Sequence, residues 1–539
     1  MSHHNLELAS NFSALDWVIV CAYLLSTLLI GLFVKRYVSN MEDYVVADRA
    51  VGSYLGIATM IGTELGLVTI MFSAQKGYTG SLAAFHISLM AAVVILIVGL
   101  TGFVVVPLRR MQVMTIPEFY ERRYGRGVRI LGGFILVFSG IINMGLFLKI
   151  GSLFITGITG MAQEESELML KLVMTALLAL VLIYTILGGM VSVVITDYIQ
   201  FIVLTFGLLT ACYLAITSLS TEGDIVGGWS SIVDSVKQTR GEAGFNPLHE
   251  EGFGIVYVVW MAFISVMHCT MWQPTVLRAC SVESTSVVRK MYAWSSIGFL
   301  VRTLIPCFLG ICTYVYVAQT DAMKMIFLPD QGAVDSEVSL IAMPIFLSQV
   351  LPAGIIGIVT AGMLAAFMST HDSYLLCWSS VLTQDVIAPL FKERISTRKR
   401  LLLTRLFIFL IGLFLLVWGL WYPLGEQDLL DYMIVTGAIY GSGATALLIP
   451  GIYWKRGSKV GAYLGLVFGF SAILGLQPLR EAIGFTWLDE HWSEQQVSAV
   501  VGLSCTMSAV FMMVLGSLIF PDHTSATTSV SRSENAPKE

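Results

Sequence analysis

Long apolar runs separated by short polar segments set the pattern of this chain. About thirteen runs, at 15–34, 52–75, 81–107, 130–158, 168–187, 194–218, 253–274, 292–318, 352–388, 401–421, 430–452, 460–478 and 498–520, come close to the roughly 20 residues a helix needs to cross a bilayer. Helix is expected over strand because a lone segment in lipid must bond its own backbone, and these runs exceed the length of barrel strands. The pattern predicts an all-α membrane protein with about 13 transmembrane helices. Basic residues sort by loop: 35–51, 108–129, 275–291, 389–400 and 453–459 together hold 20 of the 31 lysines and arginines. The alternate loops and their margins hold only Lys76, Lys171, Lys237, Arg240, Lys324 and Arg480. The positive-inside bias then puts the amino terminus outside and the carboxyl terminus in the cytoplasm of a plasma or bacterial inner membrane. The long segments 219–252 and 319–351 fall on the outer face, and 338–351 is expected to lie there as an amphipathic helix. The tail from Asp522 to Glu539 is rich in Ser, Thr and Asn and is expected to be disordered.

Composition agrees with this reading. Of 539 residues, 56% are hydrophobic and 12% charged, against about 25% charged in soluble domains. The net charge of −5 is spread over loops, and no basic stripe offers a path for nucleic acid. Eight cysteines, nearly all inside apolar runs and without a CxxC pair, read as packing residues. Met1 to Asp16 lacks a basic n-region, so no cleavable signal is expected.

Polar positions inside the apolar runs carry the chemistry. In 352–388 the residues Ser369, Asp372 and Ser373 recur at helical spacing, flanked by Ala366 and Thr370. A carboxylate at mid-membrane costs about 2.5–3.5 kcal/mol on insertion scales and usually needs a cation, a partner or water. Hard oxygens suit an alkali metal ion. The competing reading has the hydroxyls bonding their own backbone and Asp372 pairing with His371 or a neighbouring helix. In 52–75, Gly62-Thr63-Glu64-Leu65-Gly66 puts a charge between glycines. This is either a helix break, whose free carbonyls suit a cation, or a close helix contact. In 253–274, Ser265, His268, Thr270, Trp272 and Gln273 precede Pro274, and His268 is open between ligand and packing residue. Two interrupted helices at matching places in two five-helix halves, 52–218 and 253–452, point to a transporter site. The segments 1–51 and 453–520 would flank that core. No HExxH or GxSxG spacing is present, which argues against an enzyme.

Three further stretches bear a resemblance. Thr115-Ile116-Pro117-Glu118-Phe119-Tyr120-Glu121-Arg122-Arg123-Tyr124-Gly125 resembles a signature of the sodium:solute symporter family. Tyr184-Thr185-Ile186-Leu187-Gly188-Gly189, with Thr196-Asp197 and Gln200, resembles a second. The end of the stripe helix, Thr383-Gln384-Asp385, resembles a third, and Arg278 matches another common position. The resemblance covers about 15–520. It implies a leucine-transporter-like inverted-repeat fold and symport of sodium with a small organic solute.

Carried onto this chain, the resemblance implies a main sodium site from the carbonyls of Gly62, Leu65 and Ala366 and the hydroxyls of Ser369 and Thr370. A second cation site would use Asp197, Ser369, Asp372 and Ser373. Asp372 stands where a hydroxyl is usual, which leaves a proton open in place of a second sodium. On the substrate side the candidates are Glu64, His86, Lys149, His268, Trp272 and Arg302, with Phe85 and Trp260 as further cavity residues. Two buried cations, Lys149 and Arg302, favour a carboxylate or amino acid. They are equally open to neutralising Glu64 and Asp372. Sodium is the coupling ion and no organic cofactor is implied. The alternatives are a proton-coupled or uncoupled carrier, a sodium/sugar symporter, and, less well supported by so short a tail, a solute sensor.

Overall fold

The computed structural model describes residues 10–34, 51–161, 166–328, 336–391, 395–425 and 427–522. Its helices are α1 (Ala14–Val34), α2 (Ser53–Glu64), α3 (Leu67–Gly80), α4 (Phe85–Thr101), α5 (Ile116–Tyr124), α6 (Arg126–Asn143), α7 (Phe147–Thr159), α8 (Ser166–Thr217) and α9 (Ile225–Arg240). They continue as α10 (Gly254–Met271), α11 (Gln273–Ser281), α12 (Thr285–Gln319), α13 (Ser336–Val350), α14 (Ile355–Val381), α15 (Thr397–Trp421), α16 (Leu429–Tyr453), α17 (Lys459–Phe470) and α18 (Glu494–Ile519). Among the described residues, 8 helical stretches are long and apolar enough to cross a membrane. Shorter apolar helices accompany them, including Ser53–Gly62, Leu168–Ile183, Ile202–Thr217 and Lys459–Gly475. The disordered tail expected after residue 522 lies outside the described residues, as does the amino terminus before residue 10.

Two expected spans, 168–187 and 194–218, share one helical backbone of 52 residues, α8. Straight, such a helix would measure about 78 Å, more than twice a hydrocarbon core. Its two ends make different contacts. Thr185 bonds Asp372 on α14, whereas farther along Leu204 lies against Gly362 and Gly207 against Val359. The later part therefore runs back along α14. The earlier part packs on α15, where Leu178 and Leu182 meet Gly412 and Met174 meets Gly419.

The expected amphipathic helix at 338–351 exists as α13 but is not amphipathic. Ser336, Ser339, Leu340, Met343, Phe346 and Leu347 are all buried, and the helix packs against α7 and α3. α1 is tied to the stripe helix: Asp16 accepts from the backbone amides of Gly354 at 2.7 Å and Gly357 at 2.8 Å. Two of those free amides at the start of α14 are thus capped by another helix.

Of the eight long apolar helical stretches, the one that contains α14 is the most enclosed, with nearly all of the residues of α14 buried. At its foot a π-helical turn, Leu382–Ile387, presents Asp385. Asp385 accepts from Thr115 Oγ1 at 2.9 Å and from Arg129 Nε at 2.9 Å. Two stretches that look unrelated in sequence, 115–125 and 383–385, thus meet through the Thr115–Asp385 hydrogen bond, and Arg129 pairs with the same carboxylate.

Candidate functional site

The first interruption forms as the glycines suggested. The helical ladder of α2 reaches Leu65 N to Ile61 O and resumes with Ile70 N to Gly66 O. Leu65 (φ −88°, ψ 61°) and Gly66 (φ −87°, ψ 162°) leave the helical region between α2 and α3. The carbonyls from Gly62 to Leu65 fall in that gap. That of Glu64 accepts from Arg302 Nη1 at 2.8 Å and Thr69 Oγ1 at 3.0 Å. The second interruption is a single extended residue, Trp272 (φ −78°, ψ 119°), between α10 and α11. Pro274 then sits in the first turn of α11, where its missing N–H costs nothing. Gln273 is buried and ties this break to the 115–125 stretch by accepting from Ile116 N at 2.9 Å.

The first break faces the stripe helix. A methyl group on Gly66 would lie 2.1 Å from Thr370 Oγ1. Thr370 also donates to Ala366 O at 3.0 Å, so the local backbone bond and the contact with the break coexist. Ser369, Asp372 and Ser373 are buried beside it. Asp372 accepts from Thr185 on α8. The expected partner His371 is engaged elsewhere, its Nδ1 lying 2.8 Å from Phe367 O. Ser373 accepts from Arg278 Nη2 of α11 at 2.8 Å. Asp197 lies on the α8 backbone, and its side chain is outside the described residues.

A cavity of about 160 Å³ lies beside the two breaks. Glu64, His268, Trp272 and Arg302 line it. Glu64 accepts from Arg302 Nη1 at 3.0 Å on Oε2 and from Thr275 Oγ1 at 3.0 Å on Oε1, and His268 Nε2 lies 3.2 Å from the same Oε2 that takes Arg302. The Arg302 guanidinium sits 3.9 Å from the Phe299 ring centroid. Phe72, Met261, Met267, Met271 and Met433 supply the apolar wall. Trp272 Nε1 donates to Tyr374 Oη at 3.0 Å, both residues line the cavity, and the Trp378 ring packs behind Trp272 with centroids 5.1 Å apart.

Two expected substrate residues are elsewhere. Lys149 is bound to Glu337 on α13 and points at Tyr422 O, 3.5 Å away, so it neutralises neither Glu64 nor Asp372. His86 bonds Ala83 O at 2.7 Å and packs on Phe253 at 4.8 Å, outside the cavity lining. Phe85 and Trp260 do not line it either, Trp260 being buried against Gly502. The argument from two buried cations in one cavity therefore fails: one of them lines it, and that one is paired. Sequence reasoning missed Thr69, Asn143, Thr275 and Tyr374. Asn143 was findable, as the one amide in its apolar run; its Oδ1 is buried with no protein partner among the described residues.

Two broken helices, a hydroxyl-bearing helix against the first break and a cavity between them are the layout of a secondary transporter. The family model of the sodium:solute symporter family matches residues 44–469, and the chain belongs to that family. A sodium/glucose cotransporter of Vibrio parahaemolyticus is 25% identical over 493 residues, covering 88% of this chain and 87% of that protein. A sodium/sialic acid symporter of Proteus mirabilis is 22% identical, covering 86% and 90%. The solved substrate-bound outward-open state of a Na+-coupled sialic acid symporter superposes with a TM-score of 0.76 at 20% identity, covering 95% of this chain and 100% of that one. The fold is leucine-transporter-like, and the protein is a multi-pass membrane transporter that couples sodium to a small solute.

Proposed function

We propose that sodium binds at the seam between the first break and α14, held by the carbonyls of Gly62, Leu65 and Ala366 and the hydroxyls of Ser369 and Thr370. The contact of Gly66 with Thr370 Oγ1 supports this placement, because it brings the break and the hydroxyl pair together. The ion needs both helices at once. Its binding therefore fixes the broken helix whose Glu64 lines the solute cavity, and that is the physical link between ion and cargo. The repeats run 52–218 and 253–452, with the amino terminus outside and the carboxyl terminus in the cytoplasm. The concentration of basic residues in alternate loops supports that orientation.

The solute is a small zwitterion of the amino-acid type. The observation that carries this reading is the Glu64–Arg302 pair, neutral as a unit and lining the cavity at 3.0 Å separation. A bare carboxylate would have to compete with Glu64 for Arg302. A zwitterion can answer both, ammonium to Glu64 and carboxylate to Arg302, with its apolar part on the methionine wall. A second reading, a sugar or polyol, is favoured by the sodium/glucose relative and by Asn143 beside the aromatic pair Trp272 and Tyr374. A thermal-shift screen of amino acids, carboxylates and sugars with sodium present and absent tests both. Amino acids should raise the melting temperature only with sodium. A sodium-dependent shift with sugars alone would overturn the zwitterion.

One sodium moving down 100 mV yields about 2.3 kcal/mol, and a tenfold gradient adds about 1.4 kcal/mol. That supports an uphill ratio of several hundred for a solute of no net charge.

A further inference from the structure

A second cavity, of about 780 Å³, lies away from the solute site, between α6, α15 and the short helix Gln477–Ala482. On α15 it is lined by Phe407, Leu410, Phe414 and Trp418, which share one face. Phe138 and Ile142 of α6 add more hydrocarbon, and the indole N–H of Trp418 is spent on Tyr432 Oη at 3.0 Å. Water finds few partners in such a place. From Phe407 to Trp418 the lining follows α15 for about 16 Å, one leaflet's share of a hydrocarbon core about 30 Å thick. Only 28% of the α15 span is buried, so this groove opens toward lipid. A second copy of the chain is a poor occupant, because helices pair in lipid through small residues and this face carries large ones.

One end of the groove lies at the membrane surface. Gly425, just past α15, sits against Gln477, and Ala482 of the same short helix lines the groove. Phe485, Trp487 and Trp492 follow and are exposed, as aromatic side chains at head-group level are. The segment 477–494 holds Glu481, Asp489, Glu490 and Glu494 against one arginine. That Arg480 is fully buried and pairs with Asp489 and Glu494. Glu481, next to Ala482, and Glu490 are exposed. Their charge attracts an ammonium and repels an anionic head.

We propose that this groove holds one acyl chain of a phospholipid whose head carries an ammonium group. The reading is independent of the sodium and solute sites. Native mass spectrometry of the purified full chain tests it, after exchange into equal parts of phosphatidylethanolamine, phosphatidylglycerol and cholesterol. One phosphatidylethanolamine per chain should be retained. Leu410→Trp and Ala482→Phe fill the groove and should each lower that retention at least fivefold. Leu413→Trp, on α15 but outside the lining, should leave it unchanged. Retention of phosphatidylglycerol or cholesterol instead, no retained lipid, or full retention in a folded groove-filling variant overturns the proposal. A lipid-free dimer that the filling variants break also overturns it, in favour of a second copy. Should both filling variants fail to fold, the wild-type choice among the three lipids decides.

Discussion

Gly66 and Thr370 touch across the seam where the first broken helix meets α14: there is no room for even one methyl group between them, the gap to Thr370 Oγ1 from a built Cβ being 2.1 Å. Thr370 is β-branched and its hydroxyl is tied to Ala366 O, so it has few ways to retreat. Gly66→Ala should push the break away from α14. The expected result is a tenfold or larger rise in the sodium concentration that half-saturates the thermal shift, in protein that still folds. An unchanged sodium dependence would place the ion somewhere other than this seam.

Glu64 and Arg302 form a buried pair within the cavity, with side chains 5% and 9% exposed. Removing one partner of such a pair strands the other charge and typically costs about 3–5 kcal/mol. Glu64→Ala should therefore lower the melting temperature sharply, and Glu64→Ala with Arg302→Met should recover most of the loss. Solute-dependent stabilisation should be absent from both variants. If the double variant regains it, the pair is scaffolding and the solute is recognised by other residues.

The placement of these groups was partly legible from the residues alone. The break at Gly62–Gly66 and the stripe on α14 were readable because glycines around a charge, and hydroxyls at helical spacing, are rare in lipid. The extended residue at Trp272 announced itself through Pro274. What failed was pairing across helices. Lys149 and Arg302 look alike in a one-dimensional reading, yet one reaches Glu337 and the other Glu64. Spacing along a helix gives a residue's face, not the helix that face meets. Lys76 was misplaced for a related reason. It follows an apolar run and reads as a loop residue, but α3 continues to Gly80 and buries it.

Lys149 gives a control on the cavity. Its ammonium belongs to Glu337 and the Tyr422 carbonyl, away from the solute lining. Lys149→Met with Glu337→Gln removes both charges together. Solute-dependent thermal shifts should keep their half-saturating concentration within about twofold, although the melting temperature itself falls. A large loss of solute affinity would return Lys149 to the binding site.

Lys76 is held between two carboxylates, Asp428 at 2.8 Å and Asp431 at 2.7 Å, and is 1% exposed. Asp431 also accepts from Tyr257 Oη at 2.9 Å, and the adjacent Gln75 donates to Ser336 and Ser339 and accepts from Leu429 N. One turn before Lys76, Phe72 lines the cavity, so this cluster fastens α3 to α16 and α13 just beyond the solute. Three charges gathered out of water have already lost their hydration, and their mutual attraction does little more than recover it. The asymmetry is what can be measured. Lys76→Met leaves two buried aspartates facing each other and should cost about 3–5 kcal/mol, seen as a large drop in melting temperature. Lys76→Met with Asp428→Asn and Asp431→Asn removes every charge and should lie much closer to the wild type. The coupling between the sites, taken from the single, double and triple variants, then measures the ion cluster apart from packing. If the triple variant is as unstable as Lys76→Met, the lysine stem holds α3 in place by shape, and the two carboxylates are incidental to it.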